Sequence, residues 1–281
     1  MQFLISRAPD LNMNLPGLQL QAETNRQQHM FTSSHQQIQI KSSITFFLFI
    51  IPLLCLAQQK SDDQLVINEL EYLEMTGLNV MLAHDFYPEG HQGGVGIIQN
   101  GLRVATNGDL RLEPTPGQWQ PVPKVGIRMV DREAQTISIR MEYPDPEKNR
   151  KGFNPVIYPD LNFSYVLKIK PEGKSFKIIV DLDKALPDEW IGKVGFNLEL
   201  YPGILFGKSY YIDDHSGIFP RQPNGPGYTD GDGEYQITPL AEGKKLLVAP
   251  ESDQQRLAIE NLKGNKLQLI DGRGKHNNGW F

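Results

Sequence analysis

Residues 163–182, with the sequence FSYVLKIKPEGKSFKIIVDL, contain two runs in which apolar and polar side chains alternate. In the first run every second residue from Phe163 to Ile169 is apolar, and in the second run the same holds from Phe176 to Leu182. A period of two residues is typical of a strand with one buried face. Pro171 and Gly173 lie between the runs, so the stretch predicts a β-hairpin with a four-residue loop.

Similar patterns extend the strand prediction over most of the chain. Residues 136–143 alternate without a break, and shorter strand patterns occur at residues 77–82, 95–99, 125–130, 194–201, 244–248, 257–260 and 267–270. Many spaced strands with almost no helical periodicity indicate an all-β fold. We therefore predict an antiparallel β-sandwich, immunoglobulin-like or supersandwich, with long loops at residues 84–94, 113–124, 144–159 and 210–235. Residues 62–74 fit a helix or a strand equally well.

An apolar run at residues 44–57 resembles the core of a secretory signal peptide. Lys41 precedes the run, the small residue Ala57 ends it and polar residues follow, which is the order of such signals. The run is too short for a membrane-spanning helix, which needs about 20 apolar residues. We expect residues 1–57 to be an N-terminal extension and signal peptide cleaved after Ala57, residues 58–76 a linker or short helix, and residues 77–281 the β-sandwich domain, truncated at its C-terminal end. The mature chain then has no transmembrane anchor.

Charge and cysteine content narrow the function classes. The whole chain has 28 basic and 33 acidic residues. Residues 1–57 hold three of the basic and two of the acidic ones, so the mature part has a net charge of −6. An acidic surface without a basic stripe argues against nucleic-acid binding. The single cysteine, Cys55, lies in the expected signal peptide. Export without disulfides favours the periplasm, the cell surface or the exterior of a Gram-negative bacterium.

Carboxylates provide one candidate catalytic site. Glu199 lies on the predicted strand at residues 194–201, on a face that it shares with Asn197. Together with Asp213 or Asp214 it would form the carboxylate pair that glycosidases use as acid and nucleophile or base. The alternative is a solvated glutamate on an ordinary strand.

Aromatic side chains provide candidate sugar-stacking surfaces. Trp119, between several prolines, and Tyr87 and Tyr158, in the predicted loops, are the candidates for carbohydrate binding. Trp190 and Trp280 are further aromatic candidates, although a tryptophan in a sandwich more often anchors the core or a loop.

Metal binding has two possible sources. Asp230, Asp232 and Glu234 alternate with glycines and resemble ligands for a hard cation such as calcium, or else a solvated acidic turn. His84 and His91 are too few for a zinc site. The sequence has no nucleophile elbow, phosphate loop or dinucleotide fingerprint, so we expect no cofactor.

Several segments together resemble the N-terminal β-sandwich region of large secreted glycoside hydrolases of the Bacteroidetes type, cellulase-like proteins of family 9. The segments that carry this resemblance are residues 85–94, 105–109, 114–119, 195–200 and 206–210. The resemblance extends from about Glu69 to Phe281. It implies a following immunoglobulin-like module and a helical catalytic domain beyond Phe281, so that no catalytic residue of the family corresponds to a position here.

The resulting expectation is a non-catalytic module of an exported polysaccharide-degrading enzyme, whose partners are a polysaccharide or oligosaccharide and a C-terminal catalytic domain. The module would contact glycan or brace the catalytic domain. Two alternatives remain open: the domain is itself a glycosidase with paired carboxylates, or it is a purely structural surface-assembly module.

Overall fold

The computed structural model of the protein describes residues 1–7, 64–84, 94–112, 123–143, 162–223, 225–264, 266–273 and 280–281. All of them belong to one compact unit, which joins the N-terminal residues to the chain from Asp62 onward. In chain order the strands are β1 (Gln2–Ser6), β2 (Val66–Ile67), β3 (Leu73–Met75), β4 (Leu78–Leu82), β5 (Val95–Gln99), β6 (Leu102–Leu112), β7 (Lys124–Asp131), β8 (Thr136–Glu142), β9 (Ser164–Glu172), β10 (Ser175–Leu182), β11 (Val194–Leu200), β12 (Ser209–Ile212), β13 (His215–Ile218), β14 (Gly227–Thr229), β15 (Tyr235–Ile237), β16 (Ala241–Gly243), β17 (Lys245–Val248), β18 (Leu257–Lys263) and β19 (Leu267–Leu269). A short helix, α1, covers Pro202–Leu205.

Two large antiparallel sheets make up the domain. The nine-stranded sheet has the order β13-β12-β17-β18-β1-β10-β9-β8-β7, and the six-stranded sheet has the order β11-β6-β5-β4-β3-β2. Two small two-stranded sheets, β14-β15 and β16-β19, complete the described part. The predicted all-β, sandwich-like fold class is confirmed.

The core lies between the two large sheets because each contributes one apolar face. Side chains with no exposed surface come from both sheets, among them Val80, Ile97, Ile137, Ile139, Tyr165, Leu167, Phe176 and Ile178. The Phe3 and Phe196 rings, one from each sheet, have centroids 5.0 Å apart. Burying a large apolar side chain contributes roughly 1.5–3 kcal/mol, so this face-to-face packing is the main source of stability.

The hairpin predicted at residues 163–182 forms as β9 and β10, with a tighter turn than predicted. Glu172 pairs with Ser175, which leaves only Gly173 and Lys174 in the loop. Gly173 has a φ of 64°, in the left-handed region that glycine adopts without strain. The alternating pattern therefore continues through Pro171 and Glu172, residues that the prediction assigned to the loop.

Other local predictions need correction. Within residues 62–74, which are equally compatible with a helix or a strand, Val66–Ile67 form β2 and residues 73–74 begin β3. The expected long loop at residues 210–235 contains β13 and β14 as well as most of β12 and the first residue of β15. The eleven-residue strand β6 was not predicted because its Asn107, Gly108 and Asp109 have the composition of a turn.

The N-terminus differs most from expectation. We expected residues 1–57 to lie outside the domain, whereas β1 is an interior strand of the nine-stranded sheet. It pairs antiparallel with β10 on one side and with β18 on the other. Phe3 and Ile5 point into the core, with 5% and 0% of their surface exposed.

Several other expectations concern residues outside the described ranges. These are the signal peptide at residues 41–58, the loop at residues 144–159, and most of the loops at residues 84–94 and 113–124. Among the described residues, no helix is long and apolar enough to cross a membrane.

Arg128 fastens the edge strand β7 to the opposite sheet. Its Nε donates to the carbonyl of Leu82 at 2.9 Å, and its guanidinium also bonds the carbonyl and the carboxylate of Glu71. In the turn after β7, the Gln135 side chain accepts from the N–H of Ile67 at 3.0 Å. These contacts tie the β7-β8 hairpin to β2, β3 and β4, so that this end of the sandwich has a fixed spacing.

Candidate functional site

The Glu199 carboxylate is buried and fully engaged by two neighbours on β6. Asn107 Nδ2 donates to one carboxylate oxygen at 2.6 Å, and Arg111 Nη2 donates to the other at 3.0 Å. Only 5% of Glu199 is exposed. Burial raises the pKa of Glu199, and the nearby Arg111 guanidinium and the Asn107 amide oppose that rise in part.

A β-bulge positions this cluster. Asn107 and Gly108 on β6 together lie opposite the single residue Leu198 on β11. Asn107 has a φ of 49°, which asparagine tolerates better than most residues. A bulge of this kind re-aims side chains, and here it directs the Asn107 amide at Glu199. The expected exposed polar face around Glu199 is therefore a buried ion pair.

Asp109 forms a second polar cluster that sequence reasoning missed. The Tyr165 hydroxyl donates to Asp109 Oδ1 at 2.6 Å, and Tyr143 is hydrogen-bonded to Tyr165 in turn. Burial raises the pKa of Asp109 to about 6, although its hydrogen bonds to Tyr165 and to the N–H of Leu110 act in the opposite direction. Burial and the Asp109 charge raise the pKa values of both tyrosines.

Asp213 does not join Glu199. Its carboxylate accepts hydrogen bonds from the N–H groups of Lys244 and Lys245 at 2.8 and 3.0 Å. These two backbone donors lower the pKa of Asp213. A Cβ at Gly243 would collide with the Asp213 carboxylate, so the close approach requires glycine there. Asp213 thus ties the tight β12-β13 turn, which it shares with the exposed Asp214, to the backbone between β16 and β17.

The acidic turn at Asp230 uses its first carboxylate to hold the backbone. Asp230 Oδ1 accepts from the N–H groups of Asp232 and Glu234, and Oδ2 accepts from the Gln236 amide at 2.6 Å. No group of three or more His, Cys, Asp or Glu side chains suited to a metal occurs in the described residues. His84 Nε2 lies 2.9 Å from the Leu70 carbonyl, and His91 is outside the described residues.

The aromatic candidates for sugar stacking fall into two groups. Trp119, Tyr87 and Tyr158 lie outside the described residues. Trp190 is buried, and Trp280 packs edge-to-face on Tyr201 with ring centroids 4.6 Å apart. The described tryptophans are therefore packing residues.

Arg273 anchors a cluster of aromatic and acidic side chains that no sequence motif predicted. It forms a bidentate pair with the buried Asp271 at 2.8 and 2.7 Å. Its guanidinium lies 4.3 Å from the ring centroid of Phe281 and 5.1 Å from that of Phe206. It also donates to the carbonyls of Pro220 and Arg221. All these partners lie within the fold, which assigns Arg273 a structural role.

A shallow groove of about 680 Å³ lies at the β7-β8 end of the nine-stranded sheet, on its outer face. It is lined by Met129, Val130, Asp131, Arg132, Ala134, Thr136, Ser138, Lys168, Lys170 and Ile179. Lys168 pairs with Asp181 at 3.1 Å, whereas Lys170 has no ion-pair partner within the described part of the chain. The groove is therefore open and of mixed character, with the Lys168 and Lys170 ammonium groups beside apolar side chains such as Met129 and Ile179.

Comparisons with protein-family models, with curated proteins and with solved structures find no match to this chain.

Asp109 makes the stability of the protein depend on pH. Because the pKa of Asp109 in the folded state is raised above its ordinary value of 3.8, the folded protein binds more protons than the unfolded chain between about pH 4 and pH 6. The stabilising contribution of protonated Asp109 is complete below about pH 4, and it is lost as the pH rises through about 6. An asparagine at this position cannot ionise, so this loss should be absent from Asp109→Asn. The difference in the free energy of unfolding, variant minus wild type, should therefore increase by at most about 3 kcal/mol between pH 4 and pH 7. Urea denaturation at several pH values measures the difference.

Asp188→Asn is the matched control for this experiment, because the Asp188 side chain lies in the same compact unit as Asp109 but is exposed to solvent. Its stability should follow that of the wild-type protein at every pH. A parallel pH profile for Asp109→Asn and wild type would contradict the buried position of the Asp109 carboxylate.

The Arg111–Glu199 pair should behave as a unit. Arg111→Met leaves the buried Glu199 charge without its cation, which should cost about 2–4 kcal/mol in the free energy of unfolding at pH 7. The double variant Arg111→Met/Glu199→Met removes both charges and should recover most of that loss. Equal stability of the single variant and the wild-type protein, measured by urea denaturation, would show that the pair is not buried.

Proposed function

We propose that the chain is a non-catalytic β-sandwich module of an exported polysaccharide-degrading enzyme, and that it contacts glycan through the groove on its nine-stranded sheet. The observation that carries this proposal is the groove itself, an open concave surface lined by the ammonium groups of Lys168 and Lys170 together with apolar side chains. Sugar hydroxyls and ring oxygens are the acceptors that such donors suit. Export to the periplasm or cell surface, and a glycoside hydrolase as parent protein, belong to the same proposal.

The groove has the chemistry for a chain-like, oxygen-rich ligand. Thr136 and Ser138 alternate on β8, and Lys168 and Lys170 alternate on β9. Register places the buried Ser138 opposite Lys168, whose ammonium group pairs with Asp181 on the neighbouring strand β10. Exposed Met129 on β7 adds an apolar surface at one side, which suits the C–H face of a sugar ring.

The carboxylates favour a structural rather than a catalytic role. A glycosidase needs two carboxyl groups that face the substrate about 5–10 Å apart. Glu199 is buried with both oxygens engaged, and both oxygens of Asp213 accept backbone N–H groups. Within the described residues these two side chains share no hydrogen-bond partner.

Exposed apolar side chains on β7 support a role in bracing a neighbouring domain. The edge strand β7 exposes 83% of Ile127 and 59% of Met129. Large apolar side chains on an edge strand suit a contact with another protein domain. A catalytic domain in the same polypeptide is the partner that this surface would brace.

Lys170→Ala should weaken glycan binding. Loss of one partly solvated ammonium donor is expected to reduce the affinity for cellohexaose about fivefold, equivalent to about 1 kcal/mol. Isothermal titration calorimetry of the intact protein measures this change. Lys177→Ala is the matched control, because Lys177 lies on the same face, pairs with Glu172 at 2.7 Å and does not line the groove.

Two results would overturn the proposal. Absence of heat across millimolar cellohexaose and across soluble β-glucans would favour a purely structural module. Hydrolysis of β-glucan by the purified chain that disappears in Glu199→Gln would instead establish the domain as a glycosidase.

A further inference from the structure

The hairpin formed by β14 and β15 presents a tyrosine on each of its two faces. The register places Thr229 opposite Tyr235, and Tyr228 opposite Gln236. Directly opposed residues share a face of a sheet, and successive residues along a strand alternate between faces. Tyr235 therefore lies on the face of Thr229 and Gly227, whereas Tyr228 lies on the other face.

Glycine lets the Tyr235 ring lie against the hairpin backbone. A Cβ at Gly227 would collide with the hydroxyl end of the Tyr235 ring, and it would lie 2.6 Å from the carbonyl oxygen of Gln236. The Tyr235 hydroxyl donates to the carbonyl of Gly225 at 3.3 Å. The hydroxyl end of the ring is thus held at the backbone of residues 225–227, while 44% of Tyr235 remains exposed.

The base of the hairpin is fixed to the body of the domain. The N–H of Thr238 donates to the carbonyl of Pro226 at 3.0 Å, which continues the pairing beyond β15. A Cβ at Gly225 would lie 3.1 Å from the Cβ of Asp271, the buried partner of Arg273. A ring on such a support loses little further freedom when a ligand covers it, which is the advantage of a preorganised site.

The surroundings of the Tyr235 ring favour a neutral ligand that carries hydroxyl groups. Thr229 is exposed beside the ring, and its hydroxyl both donates and accepts hydrogen bonds. The turn between the two strands exposes the carboxylates of Asp232 and Glu234, whose negative charge disfavours phosphate groups at this position. A pyranose ring meets these conditions, because its apolar C–H face complements an aromatic plane and its rim carries hydroxyls.

We infer that the exposed side of Tyr235 is a sugar-stacking site that takes one pyranose ring of a neutral glycan. The Tyr235 ring supplies the apolar contact, and the Thr229 hydroxyl supplies a hydrogen bond. The inference rests on the proposed function for its class of ligand, whereas the site shares no residue with the groove on the nine-stranded sheet.

Fluorine NMR of the full chain labelled with 3-fluorotyrosine reads the site locally. Tyr235→Phe and Tyr228→Phe each remove one resonance and thereby assign it. Titration with cellohexaose should shift the Tyr235 resonance saturably and should leave the Tyr228 resonance unchanged, because Tyr228 lies on the opposite face.

Two variants that keep Tyr235 test the geometry through the same resonance. Gly227→Ala displaces the ring and should raise the dissociation constant for cellohexaose at least about tenfold, the scale of one aromatic stacking contact. Gly231→Ala is its matched control, because a Cβ at Gly231 meets nothing within 4 Å. Thr229→Val keeps the shape of the side chain without its hydroxyl and should weaken binding about fivefold, and Thr229→Ser should restore it.

A saturable shift of the Tyr235 resonance that Gly227→Ala or Thr229→Val weakens, and that Gly231→Ala does not, would support the site. A Tyr235 resonance that stays unchanged across millimolar cellohexaose would overturn it, as would equal shifts of both tyrosines. A response to tetramethylammonium chloride without a response to cellohexaose would also overturn it, because the ring would then bind a cation.

Calorimetry of Lys170→Ala separates this site from the groove. A shift at Tyr235 together with unchanged cellohexaose affinity in Lys170→Ala would support the hairpin site and refute the groove. Weakened affinity in Lys170→Ala with an unchanged Tyr235 resonance would overturn the hairpin site and leave the groove standing.

Discussion

Pairing of β1 with β10 and β18 is the constraint on which the rest of the sheet depends. Five residues from the N-terminus connect two groups of four strands into one nine-stranded sheet. Their inward side chains, Phe3 and Ile5, complete the apolar layer that faces the second sheet. Main-chain hydrogen bonding and core packing therefore both depend on the same short segment, because an interior strand satisfies two edges at once.

Each buried carboxylate described in the sandwich has specific hydrogen-bond or ion-pair partners. Glu199 has Arg111 and Asn107, Asp271 has Arg273, and Asp109 has the hydroxyl of Tyr165. Burying a charge is costly unless it is paired, and a buried pair of this kind specifies position more than it adds stability. The same reasoning separates these groups from the groove, where the Lys170 ammonium has no ion-pair partner within the described residues.

The alternating pattern was sufficient to predict the fold class and most long strands, since each has one buried face. It failed for β6, where Asn107 and Gly108 form a bulge that looks like a turn, and for β1, whose apolar residues are too few to stand out. Asp109 and Asp213 could not be assigned from sequence, because their partners are Tyr165 and the N–H groups of Lys244 and Lys245, distant residues that only the fold brings near. Glu199 was noticed from its strand position, but its burial depends on Arg111, which carries no motif.

Hydrogen exchange of the intact chain, followed by mass spectrometry, tests the central position of β1 most directly. If Gln2–Ser6 is an interior strand, its amides should be protected to the same degree as those of β10 and should exchange only through opening of the sheet. Full exchange of the peptide covering residues 1–7 within seconds, while β9 and β10 stay protected, would contradict this account.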